Sequence, residues 1–311
     1  MKSVFASLNL VERKPAKARL VESVFKANTQ LEGAGVRVHR PFPSPQLSLL
    51  DPFVLLDETG PNTFGPGKAV GFPDHAHRGF ESVTYILEGG LELRDSLGNE
   101  GALEPGDFQW LTVGAGMVHS EMPLPSIREN GGTMHGVQLW VNLPAASKWI
   151  APKLNIVRAG HVPHYRSEDG TLDVRILSGR CMGKLAHIAT QVPITYLHVR
   201  LAPGSRLEQP IPPGDTAFAY VLEGKGEFGV ERRSAEAHSL VSFKRQSGAL
   251  LTVRASDDES LSVLVLAGPP IGEKVVHQGA FVMNTDDELT QALCDAVVGR
   301  MGSIPRRKSQ T

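Results

Sequence analysis

The sequence predicts an all-β protein of two antiparallel β-barrels closed by a C-terminal helix. Three observations lead there. Turn signals recur about every ten residues between runs rich in β-branched and aromatic residues, the spacing of sandwiches and barrels. The stretch Val83–Gly89 lines up with Phe218–Gly224 at an offset of 135 residues, close to the length of one small barrel. Near the end, Thr285 followed by Glu288 forms a capping box ahead of an apolar stripe at Leu289, Ala292, Leu293, Ala296 and Val297.

Composition agrees with this reading. A chain of 311 residues holds one large or two medium domains. Its 32 Gly and 22 Pro follow no short period, which suits a loop-rich β protein. A net charge of −1 argues against a surface that coats nucleic acid or hugs a membrane. No apolar run approaches the roughly 18 residues of a membrane helix. The two cysteines, Cys181 and Cys294, read as free thiols in a reducing compartment.

Taken in order, residues 1–20 read as a flexible basic tail, with Lys2, Arg13, Lys14, Lys17 and Arg19 against Glu12. A mitochondrial presequence is the alternative reading of the same residues. The N-terminal domain is expected over 21–148. It opens with a strand at Val36–His39 and a buried one within Ser48–Glu58. Thr59–Gly71, rich in Gly, Pro and Asn, reads as a loop. Strands follow at Ser82–Leu87, Leu91–Arg94, Gln109–Val113 and Val137–Leu143, the last stopped by Pro144. The linker is placed at Ala145–Lys153, and the C-terminal domain runs over 149–311. Its strands are expected at Leu172–Ser178, Thr195–Leu201, Thr216–Gly224, Ser239–Phe243, Leu250–Val253 and Leu261–Ala267. The helix follows, with Gly302 and Pro305 beyond its end. Arg306–Ser309 forms a short basic tail.

The chemistry concentrates between Phe72 and Pro123. His75 and His77 are two residues apart, and so are His119 and Glu121. In a strand, side chains two apart share a face, so two strands facing each other across a barrel could aim all four at one point. Three imidazoles and a carboxylate suit Fe, Mn, Co, Ni, Cu or Zn better than Mg or Ca. Glu81 competes for the carboxylate position. An odd step from His77 sends it to the opposite face unless Gly79 marks a bulge. The other histidines, at 39, 135, 161, 164, 187, 198, 238 and 277, lack a partner at ligand spacing and read as hydrogen-bonded or surface groups. In the second half, the 135-residue offset carries the four ligand positions onto Pro210, Pro212, Arg254 and Ser256. That half therefore cannot bind metal in the same way, and one metal per chain is expected.

At these residues the sequence resembles the pirins of the cupin superfamily. The resemblance rests on Leu50–Phe53, His75–Glu81, Gly106–Trp110, His119–Pro123, Gln138–Leu143, Gln209–Pro212 and Phe281–Thr285. It implies a bicupin with metal in the N-terminal domain only. It also implies His75, His77, His119 and Glu121 as ligands, with Fe(II) the expected ion. The commoner cupin pattern has its glutamate five residues past the second histidine. Ser82 stands there, which leaves the carboxylate to Glu121.

Two functions follow from the resemblance. The first is a quercetin 2,3-dioxygenase-type enzyme acting on a flavonol-like substrate and dioxygen, with Glu121 as the catalytic base. The second is a non-enzymatic, iron-dependent redox sensor that regulates transcription through protein partners. We expect a monomer in the cytoplasm, with the nucleus as a second compartment, and neither direct nucleic-acid nor membrane binding. No DNA-binding motif is present.

Overall fold

The computed structural model describes residues 16–305. The first 15 residues of the expected basic tail and the Arg306–Ser309 cluster lie outside them. The chain lays down β1 (Val21–Lys26), β2 (Asn28–Glu32), β3 (Val36–Phe42), β4 (Phe53–Phe64), β5 (Phe72–His77) and β6 (Phe80–Glu88). Next come β7 (Leu91–Asp95), β8 (Glu100–Leu103), β9 (Phe108–Thr112), β10 (Met117–Pro123), α1 (Pro125–Asn130) and β11 (Gly132–Asn142). After the linker come β12 (Lys153–Val157), β13 (His164–Arg166), β14 (Leu172–Ser178) and the two-residue strands β15 (Arg180–Cys181) and β16 (Lys184–Leu185). Then follow β17 (Thr195–Leu201), β18 (Arg206–Pro210), β19 (Thr216–Glu223), β20 (Lys225–Phe228), β21 (Arg233–Glu236) and β22 (Ser239–Phe243). The chain finishes with β23 (Leu250–Ala255), β24 (Leu261–Gly268), the hairpin β25 (Val276–Gln278) and β26 (Phe281–Met283), and α2 (Asp286–Val297).

Among the described residues, each barrel pairs a seven-stranded sheet with a four-stranded one. The N-terminal sheets run β12-β9-β6-β11-β4-β3-β2 and β5-β10-β7-β8. The C-terminal sheets run β1-β22-β19-β24-β17-β14-β13 and β18-β23-β20-β21. The large sheets face one another, so their central strands are buried on both sides. That is why β6, β9, β19 and β22 are buried along nearly their whole length rather than at alternate residues. Phe42 and Phe53 from one side meet Phe218 from the other, edge to face, at 5.5 and 5.1 Å. Polar contacts cross the same seam. Glu58 accepts from Tyr220 Oη at 2.8 Å and bonds His238 Nδ1 at 2.7 Å, while Tyr85 Oη meets His198 Nδ1 at 3.0 Å.

Hydrogen bonding redraws the expected boundaries. β1 pairs with β22 and so belongs to the C-terminal sheet, although it precedes the whole N-terminal barrel. β12, past the linker, pairs with β9 of the N-terminal sheet. Each barrel thus lends one strand to the other. The tail reading also stops short: Arg19 is fully buried and donates to the carbonyls of Gly248, Asp215 and Pro212. Thr59–Gly71 is not all loop, because β4 continues to Phe64 opposite the start of β11. The helix is capped as expected, with Glu288 N donating to Thr285 Oγ1 at 3.1 Å. Leu289 and Ala292 are buried, but Val297, expected on the apolar face, is 87 % exposed at the last helical position.

Candidate metal centre

The ligand strands β5 and β10 are antiparallel neighbours in one sheet, not strands facing across the barrel. His119 lies directly opposite His75, and Met117 opposite His77. Period-two alternation then aims all three imidazoles into the barrel. Their ring centroids lie 4.4 to 4.7 Å apart, and one ring nitrogen from each comes within 4.8 Å of the other two. Two glycines shape the strand ends. Gly79 turns the chain at φ +94°, where a Cβ would stand 2.0 Å from Val282 O. Gly114, before β10, is left-handed against Ile150 O.

The donor set fits a metal ion. His75 Nδ1 lies 2.6 Å from Pro73 O, and His77 Nδ1 lies 3.4 Å from Ala280 O. Each such bond commits Nδ1 as the protonated nitrogen and leaves the Nε2 lone pair for a ligand. Nε2 of His77 and of His119 are buried with no hydrogen-bond partner among the described residues. Buried polar atoms are nearly always satisfied, so two orphans converging on one point mark a missing partner. Burial, and then the neighbouring imidazoles, hold His77 and His119 well below the usual histidine range. Both are therefore neutral, the form that binds metal.

Glu121 shares the face of His119 on β10, but it stands apart from the three-imidazole cluster. Its carboxylate reaches the opposite sheet, where Thr84 Oγ1, Gln109 Nε2 and Gln138 Nε2 all donate to it. A bulge contributes: the pairing slips between His119 and Glu121, setting Glu121 opposite Phe72. Burial raises its pKa against these donors. Glu81 is outside the centre, accepting from Thr112 Oγ1 and from Gln191 N of the C-terminal half.

A cleft of about 610 Å³ opens beside His75 and His77. Its walls are mixed rather than the apolar surface expected of a barrel interior. Phe72, Leu55 and Trp140 face an ion-pair group in which Arg40 grips Asp57 with two bonds of 2.7 and 2.5 Å and also binds Glu32. A second, apolar space beside Glu121 and Gln138 holds only about 30 Å³, the room of a single water.

Sequence reasoning missed Thr84, Gln109, Gln138 and Trp140. A signal existed, since Gln109 and Gln138 each interrupt an apolar stretch, Phe108–Leu111 and Val137–Val141; Gln109 is buried and Gln138 half-buried. It also missed His277, which lines the cleft from β25 with its ring 6.1 Å from Trp140. In the second barrel, strand pairing shifts the expected equivalences. Leu251 lies opposite Gln209 as His119 lies opposite His75, and Val253 stands where Glu121 does. Leu251, Val253 and Ile211 belong to the apolar core that fills that barrel, while Gln209 Nε2 donates to the carbonyls of Arg180 and Pro210.

Two family models match the chain: Pirin over residues 35–141, and the Pirin C-terminal cupin domain over residues 196–302. A pirin-like protein of Solanum lycopersicum is 40% identical over 288 residues, covering 92% of this chain and 94% of that protein. Human pirin is 38% identical over 267 residues, covering 86% of this chain and 88% of the relative. Among solved structures, the quercetin 2,3-dioxygenase of Acinetobacter baumannii superposes with a TM-score of 0.86 at 31% identity. It covers 93% of this chain and 100% of that one. The paired barrels, the imidazole cluster and these matches along nearly the whole chain place the protein in the pirin family of bicupins.

Proposed function

We propose that the protein is a metal-dependent dioxygenase of the quercetin 2,3-dioxygenase type, acting on a flavonol-like polyphenol. The observation that carries this reading is the cleft. It is large enough for a small aromatic ligand and is lined by His75 and His77, so the centre is open to a substrate. A closed structural site would have no such access and would more often use cysteines. The similarity to the Acinetobacter enzyme supports the same reading.

The chain's own groups have defined parts. His75, His77 and His119 would hold the ion, with Fe(II) proposed and Mn, Co, Ni, Cu and Zn compatible with the same donors. When bound, the ion supplies Lewis acidity that lowers the pKa of a substrate hydroxyl, together with a site for dioxygen. Phe72 and Trp140 offer flat apolar surface to an aromatic ring. Glu121 is proposed as the base that accepts the hydroxyl proton; to serve as fourth ligand as well, its carboxylate would have to leave Thr84, Gln109 and Gln138 and turn toward the imidazoles. Gln138 lines the cleft and donates to Glu121, so it stands on the route between substrate and base.

The test is oxygen uptake with quercetin by protein loaded anaerobically with Fe(II), beside His75→Ala and Glu121→Ala. Turnover in the wild type that vanishes in both variants is the expected result. One bound iron with no oxygen uptake on any flavonol would sink the enzyme. Metal-dependent binding of a protein partner would then be the surviving account.

A further inference from the structure

Lys148 is a buried cation that the metal centre does not use. It follows the 3₁₀ turn Ala145–Ser147 in the connection between the barrels and is 1% exposed. Its ammonium donates to Gly79 O at 2.8 Å, Asn142 Oδ1 at 2.7 Å and Val282 O at 2.8 Å. All three donors are satisfied, but by neutral acceptors, and burying an ammonium among such groups is costly. An apolar side chain would fill the same space at less cost. The position of the acceptors explains what the charge adds.

Two of them lie on opposite sides of one backbone seam. Gly79 is two residues past the ligand His77. Val282 is two residues past Ala280, whose carbonyl bonds His77 Nδ1 and also accepts from Arg78 N at 3.3 Å. Across the same seam Val282 N donates to Arg78 O at 3.0 Å. The ligand strand and the C-terminal hairpin thus run backbone against backbone, with Gly79 admitting the close approach. Lys148 bonds a carbonyl on each side. The hairpin also carries His277 to the cleft wall against Trp140.

We infer that Lys148 is a positioning residue that clamps the β25–β26 hairpin onto β5, fixing the acceptor that orients His77. The inference rests on the metal reading of the three imidazoles. Hairpin docking holds His77 in the tautomer and orientation a metal requires. A bound metal in turn holds His77 against the hairpin. The two events must strengthen each other by the same factor.

The test uses metal-free full-length protein titrated with Co(II) and followed by visible absorption, with hydrogen exchange recorded with and without the ion. Lys148→Met is expected to keep the far-UV circular dichroism of the wild type, weaken Co(II) binding by about 10–100-fold and shift the d–d bands. In the wild type, Co(II) is expected to slow exchange at the amides of Arg78 and Val282 by about tenfold or more. Glu58→Gln, which perturbs the seam between the two large sheets, should leave Co(II) affinity unchanged. Unaltered affinity and bands in Lys148→Met would overturn the inference. So would wild-type amides indifferent to Co(II), a result that stands even if the variant does not fold. A wild type that takes up no Co(II) would remove the metal reading itself, and this inference with it.

Discussion

Gln138 Nε2 donates to Glu121 Oε2 at 2.8 Å, while Gln138 Oε1 accepts from Trp140 Nε1 at 3.0 Å. One amide therefore ties the cleft wall to the buried carboxylate, and its orientation is dictated by both neighbours. Gln138→Leu removes a donor to the charged form of Glu121, which raises the carboxyl pKa further. The base form is then populated only at higher pH. Oxygen uptake with quercetin should fall more at pH 6 than at pH 8, moving the acid limb of the pH profile upward. An acid limb that stays in place would exclude Glu121 as the base.

Removing a ligand should separate metal binding from folding. In the wild type, metal at about 100 times its Kd adds about 2.7 kcal/mol of stability. His119→Ala deletes an imidazole whose Nε2 has no partner among the described residues. The variant should remain folded when metal-free and lose the metal-dependent rise in Tm. A full metal-dependent rise in His119→Ala would show that the ion binds elsewhere.

His198 supplies a pH dependence remote from the metal. It is buried between Tyr85 Oη and Ser262 Oγ, and burial followed by Arg200 and Arg175 holds its pKa down at about 3. The folded protein therefore resists taking a proton that the unfolded chain accepts below about 6.5. Stability from this residue is complete above that value and falls by about 1.4 kcal/mol per pH unit as pH drops toward 3. Urea unfolding of metal-free protein at pH 7 and pH 5 should show this loss in the wild type. His198→Gln, less stable at pH 7, should lose less between the two. Equal losses would mean that His198 is protonated in the fold.

Arg19 tests the exchange of strands between barrels. Its guanidinium satisfies three carbonyls of the C-terminal barrel just ahead of β1. Arg19→Met leaves those carbonyls unpaired and should cost about 2–4 kcal/mol in denaturant unfolding. A loss below about 0.5 kcal/mol, the range of an ordinary surface substitution, would return this residue to a solvated tail.

The β class, the internal repeat, the capped final helix and the three imidazoles are all legible in the sequence. Each is a local property. Strand alternation puts His75 beside His77 on one face whatever surrounds them, and the capping box needs only Thr285 and Glu288. Packing between distant segments decided the rest. Glu121 has the right parity to be a ligand, yet its carboxylate partners, Thr84, Gln109 and Gln138, come from three other strands. No local pattern marks β1 and β12 as strands, and their pairing with the edge strands β22 and β9 of the other barrel is a contact between segments far apart in the chain. Lys148 and His277 carry no motif. Their surroundings are set by contacts with residues up to 137 positions away, as Trp140 is from His277, and local periodicity has no reach over that distance.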